Sequence, residues 1–102
     1  MIDEQEHPFN QSIYNLIEFL TQTELRNTSK RLVDSYMDDR RCRTYTDKAR
    51  FAVQRYTQEE IPTLDELKEK NNTGAQLSTF DHMVLKMLYQ ARLLDNPKKG
   101  RR

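Results

Sequence analysis

Residues 78–97, STFDHMVLKMLYQARLLDNP, decide the fold. Ser78 followed three residues later by Asp81 is a capping box, in which each side chain satisfies a backbone N–H that the first turn of a helix leaves free. Phe80, Val84, Met87, Leu88, Ala91 and Leu94 then recur at helical intervals and define one apolar face. Pro97 closes the segment, because proline cannot continue a helix interior. Opposite that face lies a second stripe, Leu85, Tyr89 and Leu93 with His82 beside them, which leaves little more than Asp81, Lys86, Gln90 and Arg92 as polar residues. A helix apolar on two faces is either central to a bundle or half covered by another chain.

Working outward, Thr63 and Glu66 form another capping box, and Pro62 cannot sit inside a helix continuing from the basic segment before it. A short acidic helix is therefore expected over 63–70, ending in Asn71-Asn72-Thr73-Gly74. Thr46 can cap a helix whose buried stripe is Ala49, Ala52, Val53 and Tyr56. Nearer the start, Ile13, Leu16, Ile17 and Leu20 make an amphipathic stripe with Asn10 or Ser12 as cap. Asn27-Thr28-Ser29 reads as a break, and Leu32, Val33, Tyr36 and Met37 place a further helix over 29–39. The expected fold class is therefore all-α, a compact bundle of about five short helices. Its domain plan is a loose acidic arm over 1–8, one helical domain over 9–96 and a basic tail over 97–102. The expected core includes Ile13, Leu16, Leu20, Leu32, Tyr36, Ala52, Val53, Val84, Leu88 and Ala91. Two Gly and three Pro in 102 residues supply few of the tight turns that a sheet would need.

Composition bounds how such a bundle can be held. Hydrophobic residues are 35% and charged residues 32%, against about 45–50% apolar, counting Gly, in ordinary globular chains. The core is small, and a partner or a second copy is expected to share the load. One cysteine, Cys42, rules out an internal disulfide. Residues 1–6 have neither a basic n-region nor an apolar h-region, and no run of 18 apolar residues occurs, so an intracellular, cytoplasmic protein with no membrane contact is expected. A K-K-x-R string in the tail adds a nuclear address as a second reading.

The net charge of +1 hides a strongly patterned distribution. Residues 1–39 carry three Lys/Arg against eight Asp/Glu, 40–56 carry six against one, 57–97 carry four against seven, and 98–102 add four cations. A local block sets the local field even when the whole chain is near neutral. In the basic helix, Phe51 projects among Lys48, Arg50 and Arg55, the arrangement of a stacking platform or a protein hot spot if exposed, and of a core residue if a second neighbour covers it. Arg40, Arg41 and Arg43 precede it. They can clamp a phosphate backbone or pair with Asp38, Asp39 and Asp47, and as cations flanking Cys42 they would favour its thiolate. Asp34 and Asp38 share a face with Lys30 and Arg31 and suit i, i+4 ion pairs better than metal ligation.

No nucleophile with a base, carboxylate dyad, metal-ligand cluster or glycine-rich phosphate loop can be assembled, so no enzyme activity, cofactor, metal or small-molecule substrate is expected. Two functions remain. The first is a small adaptor or regulatory protein that docks on another protein or a second copy through His82, Leu85, Tyr89, Leu93 and Phe51. The second is a sequence-tolerant nucleic-acid-binding accessory protein using Arg40, Arg41, Arg43, Lys48, Arg50 and Arg55 with Lys98, Lys99, Arg101 and Arg102 of the tail. Near-neutral net charge favours the first.

Overall fold

Five helices succeed one another: α1 (Glu6–Thr21), α2 (Asn27–Met37), α3 (Tyr45–Thr57), α4 (Leu64–Asn72) and α5 (Thr79–Asp95). The structure is a computed structural model that describes residues 6–96, and no strand occurs among the described residues. Helix α1 packs against α3 and α5, α3 also against α2 and α5, and α4 against α5. The radius of gyration, 13.8 Å, is close to the roughly 13 Å of a compact chain of this length. Phe9, Ile13, Leu16 and Ile17 of α1, Ala49, Ala52 and Val53 of α3, and Val84, Met87, Leu88 and Ala91 of α5 make the centre of the core.

Both capping boxes form. Thr63 accepts from the Glu66 N–H while Glu66 accepts from the Thr63 N–H, and Ser78 and Asp81 make the same exchange at the start of α5. Helix α3 opens earlier than the sequence suggested: Thr44, not Thr46, accepts from the Asp47 N–H. Helix α1 starts at Glu6, ahead of Asn10 and Ser12, and Pro8 sits in its first turn, where a missing N–H costs nothing. That start lets Phe9 bury itself edge-on against Tyr45, ring centroids 5.6 Å apart. Residues 1–5 of the expected arm and the whole tail from 97 onward lie outside the described residues.

The break after α1 falls at Gln22–Arg26, and Asn27-Thr28-Ser29 opens α2 instead. Its device is repeated at the end of α3. Gln22 and Gln58 both adopt the left-handed conformation, φ 58° and 63°. Each donates its side-chain amide back to a last-turn carbonyl, Gln22 to Phe19 and Gln58 to Arg55. The preceding threonines, Thr21 and Thr57, donate to the Ile17 and Val53 carbonyls. Three positions after each glutamine a loop aliphatic, Leu25 or Ile61, turns into the core. A charged side chain pins each one: Glu18 accepts from the Leu25 N–H at 2.9 Å, and Arg50 donates to the Ile61 and Pro62 carbonyls at 3.1 and 2.9 Å.

Three core expectations change. Leu32 is 44% exposed, because Val33 and Met37 take the buried side of α2 and Leu32 lies about 100° round the helix from Val33. Leu20 and Tyr36 are half-buried at the core's edge. Asp34 makes no ion pair with Lys30. It accepts from the Tyr14 hydroxyl at 2.6 Å, tying α1 to α2, while the Lys30 ammonium sits 5.3 Å from the Tyr14 ring centre. Burial, and then the hydrogen bond to Asp34, push the Tyr14 hydroxyl well above its ordinary pKa.

Lys70 and Asp81, 2.7 Å apart, join α4 to the start of α5. The Lys70 hydrogen bond, with that from the Ser78 N–H, holds the Asp81 carboxyl below its ordinary value. A carboxyl whose folded pKa is depressed stabilises the fold above its unfolded pKa, about 4, and loses that contribution as pH falls through the folded value. Urea midpoints measured from pH 6 down to pH 2 should therefore decline below about pH 4 in the wild type. In Asp81→Asn the decline should be shallower from a lower starting midpoint.

Candidate interaction surface

The outer face of α5 is set by what its inner face must bury. With Val84, Met87, Leu88 and Ala91 turned inward, residues displaced by about half a turn face out. His82, Lys86, Tyr89, Arg92, Leu93 and Asn96 are all exposed. Tyr89 is 44% and Leu93 69% exposed, two of the four large hydrophobic side chains that stand out of the described surface. Leu85 does not share that position: it is half-buried against the core, so the second stripe is narrower than expected and concentrated in the last two turns. Tyr89, Arg92, Leu93 and Asn96 border an open depression along the last two turns of α5. Helical spacing places Lys86 and Arg92 one turn either side of Tyr89. Neither cation has an ion-pair partner among the described residues.

The last turn of α5 is held by a long-range cap. Asp95 accepts from the Tyr45 N–H at 2.6 Å, from the Thr46 N–H at 3.3 Å and from the Thr46 hydroxyl at 3.0 Å. With Thr44 on the Asp47 N–H, the first three N–H groups of α3 are all engaged. A carboxylate at a helix N-terminus also meets the positive end of the helix dipole. Ser12 of α1 donates to the Gln90 side chain and fixes α5 from its other flank. The exposed turn that carries Leu93 is thus mounted on a braced helix.

Beside it runs a cleft of about 440 Å³, between α3, α4 and α5. Its polar lining is mostly committed to the fold: Arg50 to the 61–62 carbonyls, Asp95 and Thr46 to each other, Thr63 to its capping box. Asp65 and Arg92 remain, and they share no ion pair. Arg92 and Asn96 also border the depression on the outer face of α5, so the two adjoin across the end of α5.

The basic block is divided by the fold. Arg50 turns to the 61–62 loop, away from α2. Phe51 is half-buried on the other side of α3, edge-on to Tyr36 with centroids 6.3 Å apart, and the Arg41 guanidinium lies 5.3 Å from its ring centre. Arg55 lies 5.8 Å from the Tyr36 ring, and Lys48 5.6 Å from that of Tyr45. Of the two readings of Phe51, open platform or covered residue, the second holds, because α2 supplies Tyr36 and the loop supplies Arg41. Of the expected pairings with Asp38, Asp39 and Asp47, only Arg41–Asp39 forms among the described residues, at 2.9 Å. Those hydrogen bonds from Arg41 hold the Asp39 carboxyl well below its usual range. Arg40 and Arg43 are exposed without an ion-pair partner among the described residues. Lys98, Lys99, Arg101 and Arg102 lie outside the described residues.

The cations flanking Cys42 do not prevail. Burial pushes its thiol pKa up, and the charges of Asp39 and Asp47 add to this, outweighing Lys48 and Arg41. No group of three His, Cys, Asp or Glu among the described residues could hold a metal ion. No helix among the described residues is long and apolar enough to cross a membrane. No protein-family model, curated protein or solved structure matches the chain.

Proposed function

We propose that this chain is a small non-enzymatic adaptor or regulatory protein that docks on another polypeptide through the outer face of α5. The observation that carries the reading is the exposure of Tyr89 and Leu93 together on the outer face of α5, a helix whose position is braced by Asp95 and Gln90. Large apolar side chains presented on a rigid element make effective anchors, since little conformational freedom is lost when they are covered. Tyr89 suits the role: its ring supplies contact area and its hydroxyl can stay hydrated at a rim. His82 extends the same face, whereas Leu85 supports it from beneath and Phe51 belongs to a separate, covered cluster.

Tyr89→Glu tests this. Its helical circular dichroism and unfolding midpoint should stay near those of the wild type, because the ring is not part of the core. Proteins co-purifying with the wild type from the source cells, once identified and purified, should bind the variant at least tenfold more weakly. Unfolding of Tyr89→Glu would make the stripe core, and equal binding would place the contact elsewhere. The alternative reading, sequence-tolerant nucleic-acid contact, keeps Arg40, Arg43 and Arg55, exposed without an ion-pair partner among the described residues, with Lys48, Arg41 on Asp39 and the tail cations beyond Asn96, while Arg50 is bonded to the backbone and Phe51 is covered.

A further inference from the structure

The exposed face of α5 carries charge of one sign. Lys86 and Arg92 flank Tyr89 and Leu93, and no carboxylate among the described residues of α5 shares the face: Asp81 is buried on Lys70, and Asp95 is turned onto the start of α3. In the sequence, Asn96 is followed within six residues by Lys98, Lys99, Arg101 and Arg102. An apolar patch flanked by cations attracts a ligand that is apolar in the middle and anionic at its edges, because opposite charges steer approach and like charges are rejected.

A second copy fits this description poorly. A two-fold pairing sets the same patch against itself, so Lys86 and Arg92 would be brought up against the Lys86 and Arg92 of the copy. Asp65 of α4 lines the cleft that adjoins this face across Arg92 and Asn96 but makes no ion pair with Arg92, and Glu66 and Glu69 follow it on the same helix. A phosphate backbone would satisfy the cations but leave Tyr89 and Leu93 without apolar cover.

We infer that the partner of the α5 face is an acidic amphipathic helical segment of another protein, packing large apolar side chains on Tyr89 and Leu93 while its carboxylates meet Lys86 and Arg92. The inference rests on the docking function proposed above and specifies the chemistry of its occupant. Helix-in-groove recognition of this kind reads anchors at i, i+3, i+4 and i+7 on the incoming segment.

The test uses the full chain, labelled with nitrogen-15, and two synthetic peptides of about 18 residues. Both carry Leu or Phe at i, i+3, i+4 and i+7; one has Glu at its remaining surface positions and the other Lys. The Glu peptide should shift amide resonances of residues 86–96 saturably. Its affinity should fall several-fold between 50 and 500 mM salt, and at least tenfold in Arg92→Glu. Arg92→Gln, a milder change at a side chain with no ion-pair partner among the described residues, should give an intermediate loss and guards against any unfolding of the first variant. The Lys peptide should leave the spectrum unchanged. Equal binding of both peptides would overturn the acidic partner while leaving α5 as a docking face. No shift on α5 with either would overturn both. A dimer in sedimentation that Leu93→Asp dissociates would replace the acidic segment with a second copy, and shifts on α5 with a single-stranded oligonucleotide but not with the Glu peptide would replace it with nucleic acid.

Discussion

Replacing Leu88 by Ala is expected to cost about 2–5 kcal/mol, the largest effect of any single truncation proposed for this chain. Leu88 is 2% exposed and belongs to the inner face of α5, which packs on both α1 and α3. Its loss removes the transfer free energy of three carbons and leaves a cavity that the helices can only partly close, since each is tied to a neighbour by Asp95, Gln90 or Asp34. A domain of this size has a total stability of about 5–15 kcal/mol, so the variant should be substantially weakened and its urea midpoint displaced far to the left. A loss under about 1 kcal/mol would mean that the site collapses freely and that α5 is not the centre of the bundle.

Asp95→Ala should cost about 2–3 kcal/mol, more than an ordinary helix cap. The carboxylate receives two backbone N–H groups and one hydroxyl from the start of α3, and alanine offers none of them a replacement. The loss should be local as well as global. Amide exchange at Tyr45 and Thr46 should accelerate ahead of the remaining α3 amides, and the last turn of α5 should lose protection with them. Asp95→Asn, which keeps one acceptor oxygen and gives up the charge that faces the helix dipole, should fall between. The docking face would then weaken without any change to Tyr89 or Leu93, since the turn that presents them is no longer held.

The helices that announce themselves are those whose signals are local. Ser78 with Asp81 and Thr63 with Glu66 lie within a single turn, and both ends of the argument are visible in four residues. The stripe Ile13, Leu16, Ile17 likewise states its own period. What escapes a linear reading depends on residues far apart. Asp95 looks like a final-turn surface acid until α3 is placed beside it, and Arg50 looks like one more cation of a basic block until the 61–62 carbonyls reach it. Thr44 and Thr46 are equally good caps by type, and packing of Phe9 on Tyr45 accompanies the earlier start. Leu25 and Ile61 lie outside any helix, so no periodicity marks them as core. A signal was present, however: Thr-Gln precedes each by the same spacing, with the same left-handed helix ending. In the candidate site, Tyr89 and Leu93 were legible from the face opposite the core. Leu85, at the edge of that face, was not, because half a turn of helix cannot distinguish a rim from a seat. Phe51 needed Tyr36 from another helix before its cover could be seen.

Site-specific photo-crosslinking tests the docking face most directly. With p-benzoylphenylalanine in place of Leu93, irradiation of the source cells should give a discrete higher-mass adduct of this chain, and the same reagent in place of Asn15, exposed on α1, should give none. A clean adduct at Asn15 with none at Leu93 would place the contact on α1 and contradict the role assigned to α5.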